Sequence, residues 1–105
     1  MCGICGFHFK ETTRQVDPTI VNRMNEALTH RGPEYVGVWL NHHIAFAARR
    51  LSIQDVENGH QPMVNEDKTW VVAFNGELYN VDELRDTLRA KGFSFKTGCD
   101  TEVVL

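Results

Sequence analysis

The chain has 105 residues, of which 42% are hydrophobic and 24% are charged; this ordinary globular usage excludes an intrinsically disordered chain. Its formal net charge is −3, from 14 acidic and 11 basic residues with no basic run, which argues against nucleic acid as a partner. The longest apolar runs, residues 44–48 and 70–74, are far shorter than the about 20 residues that a membrane helix needs, so no membrane partner is expected.

The first two predicted elements are a strand and a helix. Residues 2–9 alternate between two sets of side chains, as in a strand with two different faces. Asp17 followed by Pro18 is typical of a helix N-cap and the first helical position. One face of this helix is expected to carry apolar residues at helical spacing, namely Ile20, Val21, Met24 and Leu28. The helix should end before residues 31–33, because a residue that precedes proline avoids the helical region.

Three further strands are predicted in the middle of the chain. Residues 35–40 and 44–49 form two extended runs joined by a polar turn at positions 41–42. Residues 70–74 are all apolar, which predicts a third and more deeply buried strand. The Asn75-Gly76 pair that follows is typical of a tight turn.

The last quarter of the chain predicts two helices and one more strand. Asn80 with Glu83 resembles a capping box, and the helix that it starts would end at Gly92. Residues 93–97 predict a strand, and residues 100–105 predict the first turn of another helix. Strands and helices in this order indicate an α+β fold in one domain with largely antiparallel strands. Because the sequence ends inside a predicted helix, we expect the chain to be part of a longer protein.

Cys2 is the first candidate for chemistry, because removal of Met1 would make it the N-terminal residue. An α-amino group has a pKa of about 7.7–8.0, so part of it is unprotonated at neutral pH and can accept the thiol proton. From position alone, a small residue without chemistry is the simpler interpretation. The three cysteines are too few for a disulfide framework, and no secretory leader is visible, so a cytoplasmic location is expected.

A rival interpretation treats Cys2 and Cys5 as a redox or metal-binding pair. Residues three apart in a strand point to opposite faces, whereas a redox C-x-x-C motif opens a helix. Zinc would need four ligands, and the sequence has no second C-x-x-C motif. We therefore predict no metal site, and Cys5 is expected to be a buried small side chain.

Three more positions have both a structural and a chemical interpretation. The Asn75-Gly76 bend is a common hairpin signal, yet it can also present an amide and a backbone N–H to one point, as an oxyanion hole requires. Arg50 lies where a predicted strand gives way to a loop, and it is either a solvated surface residue or a carboxylate ligand. Asp100 is either the N-cap of the last helix or the partner of an ammonium group.

Several ordered motifs make the whole chain similar to one family. They are Met1-Cys-Gly-Ile-Cys-Gly-Phe7, His30-Arg-Gly-Pro33, Arg50-Leu-Ser-Ile53 with Asp55, Gln61-Pro62, Asn75-Gly-Glu-Leu-Tyr-Asn80 and Gly98-Cys-Asp-Thr-Glu102. With them the sequence resembles the glutaminase domain of the asparagine synthetase family, a class II glutamine amidotransferase with an N-terminal-nucleophile hydrolase fold. The resemblance implies a four-layer αββα sandwich with mostly antiparallel sheets, of which residues 1–105 would be the N-terminal portion.

The resemblance also implies a reaction and its catalytic residues. Cys2 would attack the side-chain amide of L-glutamine, while the Asn75 side chain and the Gly76 backbone N–H would form the oxyanion hole. Ammonia would leave, and water would hydrolyse the glutamyl thioester to glutamate. No metal or organic cofactor is expected for this half-reaction.

The substrate would be held by charged groups and by a loop. The resemblance implies that Arg50 binds the glutamine α-carboxylate and that Glu77 and Asp100 bind its α-amino group. Part of the pocket wall would be a four-residue loop, Leu51, Ser52, Ile53 and Gln54. Gln54 departs from the family pattern, in which a small apolar residue is usual. The loop over residues 30–33 is assigned a structural role.

The expected partners are L-glutamine and a synthetase domain later in the same longer chain, which would use ATP and Mg²⁺ and which residues 1–105 do not contain. Aspartate or another substrate would accept the ammonia. Exposed sheet edges make a homo-oligomer an additional expectation. Two alternative functions stay open, a non-catalytic interaction domain that retains Met1 and a thiol-redox protein that uses Cys2 and Cys5.

Overall fold

The computed structural model describes residues 2–51 and 57–105, and in that part of the chain it contains five strands and three helices. In chain order they are β1 Gly3–His8, α1 Pro18–Glu26, β2 Tyr35–Asn41, β3 Ile44–Arg50, β4 Met63–Val64, β5 Val71–Val72, α2 Val81–Ala90 and α3 Asp100–Val104. One sheet has the strand order β1-β3-β2 and the other pairs β4 with β5. All pairings within both sheets are antiparallel. The prediction of mixed α and β structure with antiparallel sheets is confirmed.

Helix α1 begins as predicted and ends early. The Asp17 carboxylate accepts a hydrogen bond of 2.9 Å from the Thr19 backbone N–H, and proline occupies the first helical position. The helix ends at Glu26, so Leu28 lies in the following turns. Ile20 is 47% exposed whereas Val21 is fully buried, so the predicted apolar face is buried only in part. The reason is that α1 contacts the sheet along a narrow strip of its surface. Val21 and Asn25 lie on that strip and are buried.

The hydrophobic core lies between α1 and one face of the three-stranded sheet. Its fully buried members on β3 are Ala45 and Ala47, whose small side chains allow the helix to approach. Cys5 and Phe7 of β1 pack against this cluster from the same face, since Cys5 pairs with Ala47 and Phe7 with Ala45. The alternation predicted for residues 2–9 is therefore confirmed. Cys5 is half-buried, somewhat less than expected.

The strand predicted over residues 70–74 is much shorter in the structure. Only Val71 and Val72 pair with β4, and Trp70 is 69% exposed, so the prediction of a long buried strand is wrong. Just before and just after β5 in the chain, side chains rather than a neighbouring strand accept the backbone hydrogen bonds. The Asn65 side-chain oxygen accepts from the Trp70 N–H at 2.8 Å, and a glutamine side chain accepts from the Phe74 N–H.

The helix predicted after Asn80 is present as α2. The predicted end of this helix is correct, whereas the predicted hydrogen bonding at its start is not. Asn80 is the N-cap residue and makes no side-chain cap hydrogen bond, so the capping box is wrong. Asp82 and Glu83 lie in the first turn, where acidic side chains interact favourably with the helix dipole. Gly92 has φ +96°, a value that suits glycine, and it ends the helix as predicted.

Residues 93–97 are irregular rather than a strand. The Glu102 carboxylate accepts hydrogen bonds from the backbone N–H groups of Lys96 and Thr97 at 2.8 and 2.7 Å. The Arg85 guanidinium donates to the Thr97 carbonyl at 3.0 Å. These side chains therefore take the place of strand partners at residues 96 and 97. Helix α3 follows as predicted, with Cys99 rather than Asp100 at its N-cap.

Asn25 supplies a test of the core, because it is 1% exposed and neither polar atom of its side chain has a hydrogen-bond partner in the described part of the chain. An unsatisfied buried polar group costs about 1–3 kcal/mol. Leucine has the same number of side-chain heavy atoms, so Asn25→Leu should raise the free energy of unfolding by about 1–3 kcal/mol in urea denaturation. The matched control is Asn22→Leu, on the exposed side of α1, with a change within about 0.5 kcal/mol. Equal effects of the two substitutions would contradict the structure.

No helix in residues 2–51 or 57–105 combines the length and the apolar character needed to cross a membrane.

Candidate active site

The start of the chain and the end of β3 come together. Gly3 pairs with Arg49, so one more step along this antiparallel register puts Cys2 beside Arg50. The Cys2 thiol points to the Leu51 carbonyl oxygen, with an Sγ–O distance of 3.7 Å. Cys2 is half-buried. The structure thus brings together three predicted site residues, Cys2, Arg50 and Leu51.

The loop over residues 30–33 holds this arrangement. The Arg31 Nε donates to the Cys2 carbonyl oxygen at 3.4 Å, and Pro33 bridges to Arg50. Gly32 packs directly on the backbone of β3, because a Cβ on it would lie only 2.5 Å from the Arg50 nitrogen. The loop therefore has a structural role that only glycine at position 32 permits.

Arg50 is 4% exposed, so it is not the solvated surface residue that one interpretation of the sequence allowed. Its guanidinium lies against the backbone of Gly59, where a Cβ would be 2.9 Å from the Arg50 Cζ and 3.0 Å from the Cys99 Sγ. Arg50, Gly59 and Cys99 thus meet at one point. The sequence analysis gave neither Gly59 nor Cys99 a role, because their proximity joins segments that are far apart in the chain.

Asp100 is buried next to this point and faces the segment after Glu77. One carboxylate oxygen accepts from the Leu78 backbone N–H at 3.0 Å. The other accepts from the Cys99 thiol, with an S–O distance of 3.7 Å. The side chain therefore does not cap α3, so of the two interpretations of Asp100 the N-cap does not hold. Its contact with residue 78 places the carboxylate beside the segment that carries Glu77.

Asn75, Gly76 and Glu77 form an exposed segment with a bend at Gly76. The Phe74 ring lies over Gly76, where a Cβ would be 2.7 Å from the nearest ring carbon. Within residues 2–51 and 57–105, no hydrogen bond joins Cys2 to Asn75 or Gly76. The meeting of the thiol with this bend stays a prediction, while the bend itself is present.

The remaining predicted pocket residues, Ser52, Ile53 and Gln54, lie outside the described residues. Two cavities of about 310 and 630 Å³ lie between the three-stranded sheet and the segment that contains β5. None of the predicted site residues lines them, and four residues line both: His8, Ile44, Phe46 and Val71. Among the described residues, no cluster of three or more His, Cys, Asp or Glu side chains could hold a metal ion.

Gln61 is a buried residue near the site to which sequence reasoning gave no role. It is 6% exposed, and its side-chain oxygen accepts from the Phe74 N–H at 2.6 Å. Its side-chain nitrogen donates to the Thr101 hydroxyl at 3.1 Å. Gln61-Pro62 is one of the motifs of the sequence, but the motif alone does not show that Gln61 lies between residue 74 and α3.

The two N-terminal cysteines differ in a way that labelling can measure. Burial raises the pKa of the Cys5 thiol, and only the thiolate reacts with an alkylating agent. Cys5 should therefore react more slowly at about pH 8 than a free cysteine, and its rate should rise only at a pH above that at which an ordinary thiol ionises. Mass spectrometry of the protein treated with iodoacetamide would measure both rates.

The expected result is faster labelling of Cys2 than of Cys5 in the folded protein, with similar rates in denaturant. Equal rates in the folded state, or a Cys2–Cys5 disulfide after mild oxidation, would support the thiol-redox alternative. The packing of Cys5 against the core, with Cys2 directed to Leu51, disfavours that alternative.

Comparison with known proteins gives a consistent result over the whole chain. The family model of the glutamine amidotransferase domain matches residues 1–105. The chain is 47% identical over 107 residues to asparagine synthetase (glutamine-hydrolyzing) 1 of Bacillus subtilis (strain 168), covering 100% of this chain and 17% of that relative. It is 41% identical over 104 residues to asparagine synthetase (glutamine-hydrolyzing) 1 of Arabidopsis thaliana, covering 99% of this chain and 18% of that relative. The chain thus spans less than a fifth of the length of these relatives.

Proposed function

Because the chain belongs to the glutamine amidotransferase domain family, we propose that it hydrolyses L-glutamine to L-glutamate and ammonia with Cys2 as the nucleophile. The relatives named above are called glutamine-hydrolysing, and their similarity extends over the entire chain. The structural observation that carries the proposal is the position of the Cys2 thiol, half-buried beside Arg50 and 3.7 Å from the Leu51 carbonyl oxygen.

The proposed reaction has two steps. The α-amino group of Cys2 takes the thiol proton, and the sulfur attacks the side-chain amide carbon of glutamine. The resulting oxyanion accepts hydrogen bonds from the Asn75 side chain and the Gly76 N–H. The carbon–nitrogen bond breaks as the amine returns the proton to the leaving ammonia. Water, deprotonated by the same amine, then attacks the thioester and releases glutamate and the free thiol.

The charges around the site fit a zwitterionic amino acid. Arg50 would bind the α-carboxylate, while Asp100 and Glu77 would bind the α-ammonium group. Arg50 and Asp100 support this arrangement because the Arg50 guanidinium and the Cys99 thiol both lie close to Gly59, and the same thiol donates to Asp100, so that opposite charges flank one place. Part of the pocket wall would come from the four-residue loop of Leu51, Ser52, Ile53 and Gln54.

The proposal extends to the protein that contains this chain. Residues 1–105 would form the N-terminal portion of a four-layer αββα sandwich, and a synthetase domain of the same chain would receive the ammonia. That domain would use ATP and Mg²⁺, whereas the glutaminase half needs no cofactor, and aspartate is the proposed acceptor. The coverage of 17% and 18% of the relatives supports a longer protein. Strands β1 and β2 are the edges of the three-stranded sheet and the proposed contacts of a homo-oligomer.

The proposed location is the cytoplasm. Cys2, Cys5 and Cys99 are free thiols, the form that a reducing compartment maintains.

A direct assay of the intact protein tests the proposed activity. Glutamine should yield glutamate and ammonia in equal amounts without ATP, and a metal chelator should leave the rate unchanged. Asparagine serves as the control substrate, because its side chain is one methylene shorter. With its α-carboxylate and α-ammonium groups bound, its side-chain amide would not reach the thiol. The proposal fails if glutamine gives no glutamate above the buffer blank.

A further inference from the structure

The segment from Asn75 to Glu77 is fixed at both of its ends. Directly before it, the Phe74 backbone N–H donates to the Gln61 side-chain oxygen at 2.6 Å. Directly after it, the Leu78 backbone N–H donates to an Asp100 carboxylate oxygen at 3.0 Å. Two buried side chains from other parts of the chain therefore define where the exposed bend begins and ends.

The two anchors belong to one network at the start of α3. The Gln61 side-chain nitrogen donates to the hydroxyl of Thr101, the residue after Asp100, at 3.1 Å. Thr101 is almost completely buried, and so are both anchoring side chains. Breaking a hydrogen bond in such a place leaves a polar group without water, which makes the connection stiff. Gln61 thus couples residue 74 to the helix that carries Asp100.

Gln61 is itself held by the three-stranded sheet. Its backbone crosses β2 at Gly37, so closely that no Cβ on Gly37 has room beside the Gln61 carbonyl group. On the same part of β2, the ring of Tyr35 stacks on the ring of His60 with a centroid distance of 4.1 Å. The sheet that positions Cys2 and Arg50 therefore also positions Gln61, and through it the bend at residues 75–77.

We propose that Gln61 is a positioning residue for the glutaminase reaction, which sets the direction of the Asn75 amide and the Gly76 N–H through its hydrogen bond to the Phe74 N–H. This inference rests on the proposed function, since it assumes that the bend carries the oxyanion hole. Gln61 does not touch substrate in this account. It fixes the bend relative to both the sheet and Asp100, so that the two donors need no rearrangement when the oxyanion forms.

The first test is Gln61→Met in the intact protein, a substitution that keeps the length of the side chain and removes both hydrogen bonds. The kcat for glutamine should fall about 10- to 100-fold, because a misplaced donor weakens the transition state. The KM should change less than about threefold, since the oxyanion contacts form only in the transition state. The matched control is Gln15→Met at an exposed position, which should keep the wild-type kcat.

Thr101 supplies the second variant pair and keeps the test independent of folding. Thr101→Val removes only the hydroxyl partner of Gln61, and kcat should fall about 2- to 10-fold, the scale of one neutral hydrogen bond. Thr101→Ser restores the hydroxyl and should recover the wild-type kcat. Thermal melting of each variant, together with kcat per folded molecule, separates positioning from loss of stability.

The outcomes distinguish this inference from the function on which it rests. A wild-type protein without glutaminase activity would overturn the proposed function and this inference with it. An active wild type, with Gln61→Met folded and turning over at the wild-type kcat, would overturn only the role of Gln61. If Gln61→Met does not fold, an unchanged kcat in folded Thr101→Val decides against positioning in the same way.

Discussion

Replacing Cys2 by alanine is expected to abolish glutamine hydrolysis, with turnover falling on the order of 10⁶-fold, the scale of losing a covalent nucleophile. The reason is that the proposed thioester forms on the Cys2 thiol, which lies at the junction of the chain start and β3. The measurement is glutamate release by the intact protein, with the melting temperature recorded to show that the variant is folded.

Cys5→Ala is the matched control for Cys2→Ala. It makes the same chemical change, the loss of a thiol, at a position three residues later. Cys5 packs against the core between β1 and α1, so its loss should lower the melting temperature somewhat and leave kcat near the wild-type value. If Cys2→Ala retained wild-type turnover, the assignment of the nucleophile would be wrong. Equal losses from the two substitutions would point to damage of the fold rather than of the chemistry.

The second large effect is expected at Asn75. Losing one oxyanion donor costs about 2.7–4 kcal/mol, so Asn75→Ala should lower kcat about 10²–10³-fold. The KM for glutamine should change little, because the amide would contact the oxygen only as negative charge develops on it. Steady-state kinetics over a range of glutamine concentrations separate the two constants.

Two further substitutions separate the amide of Asn75 from its role in the bend. Asn75→Gly keeps the conformational freedom of a turn residue, and kcat should stay as low as with alanine. Asn80→Ala removes an exposed asparagine five positions later whose side chain makes no cap hydrogen bond, and kcat should be unchanged. A fall of only a few-fold in Asn75→Ala, or recovery in Asn75→Gly, would mean that position 75 serves the turn alone.

Local sequence signals predicted the parts of the fold that are stabilised locally. The start of α1 follows from the Asp17 carboxylate and Pro18, which act within one turn of the helix. The end of α2 follows from Gly92 and its φ of +96°. The alternation over residues 2–9 predicted β1, because one face of that strand packs on α1 and the other does not.

The predictions that failed depend on side chains distant in the chain. Residues 93–97 have the composition of a strand, yet side chains of Arg85 and Glu102 bond to the backbone of residues 96 and 97. The sequence offers Asp100 as one candidate for the N-cap of α3, but Cys99 holds that position and the Asp100 carboxylate accepts from the Leu78 N–H instead. No pattern within a short window shows which of two available backbone partners a carboxylate will bond to.

The candidate site shows the same division. The motifs predicted roles for Cys2, Arg50 and Asp100, and the β1–β3 register explains why the first two are neighbours. The packing of Arg50 and of Cys99 on Gly59 connects segments separated by many residues. The hydrogen bonds that Gln61 makes to Phe74 and Thr101 do the same. Such contacts follow from the packing of the whole chain, so sequence patterns did not show them.

The central claim is that the thiol and the amine of the first residue act together, and intact-mass analysis of the active protein tests it most directly. The protein would be incubated with a glutamine-mimicking electrophile and then measured whole and after digestion. The account predicts a mass without Met1 and one adduct, located on the N-terminal Cys2. Retention of Met1 in protein that hydrolyses glutamine, or an adduct on another residue with Cys2 unmodified, would contradict it.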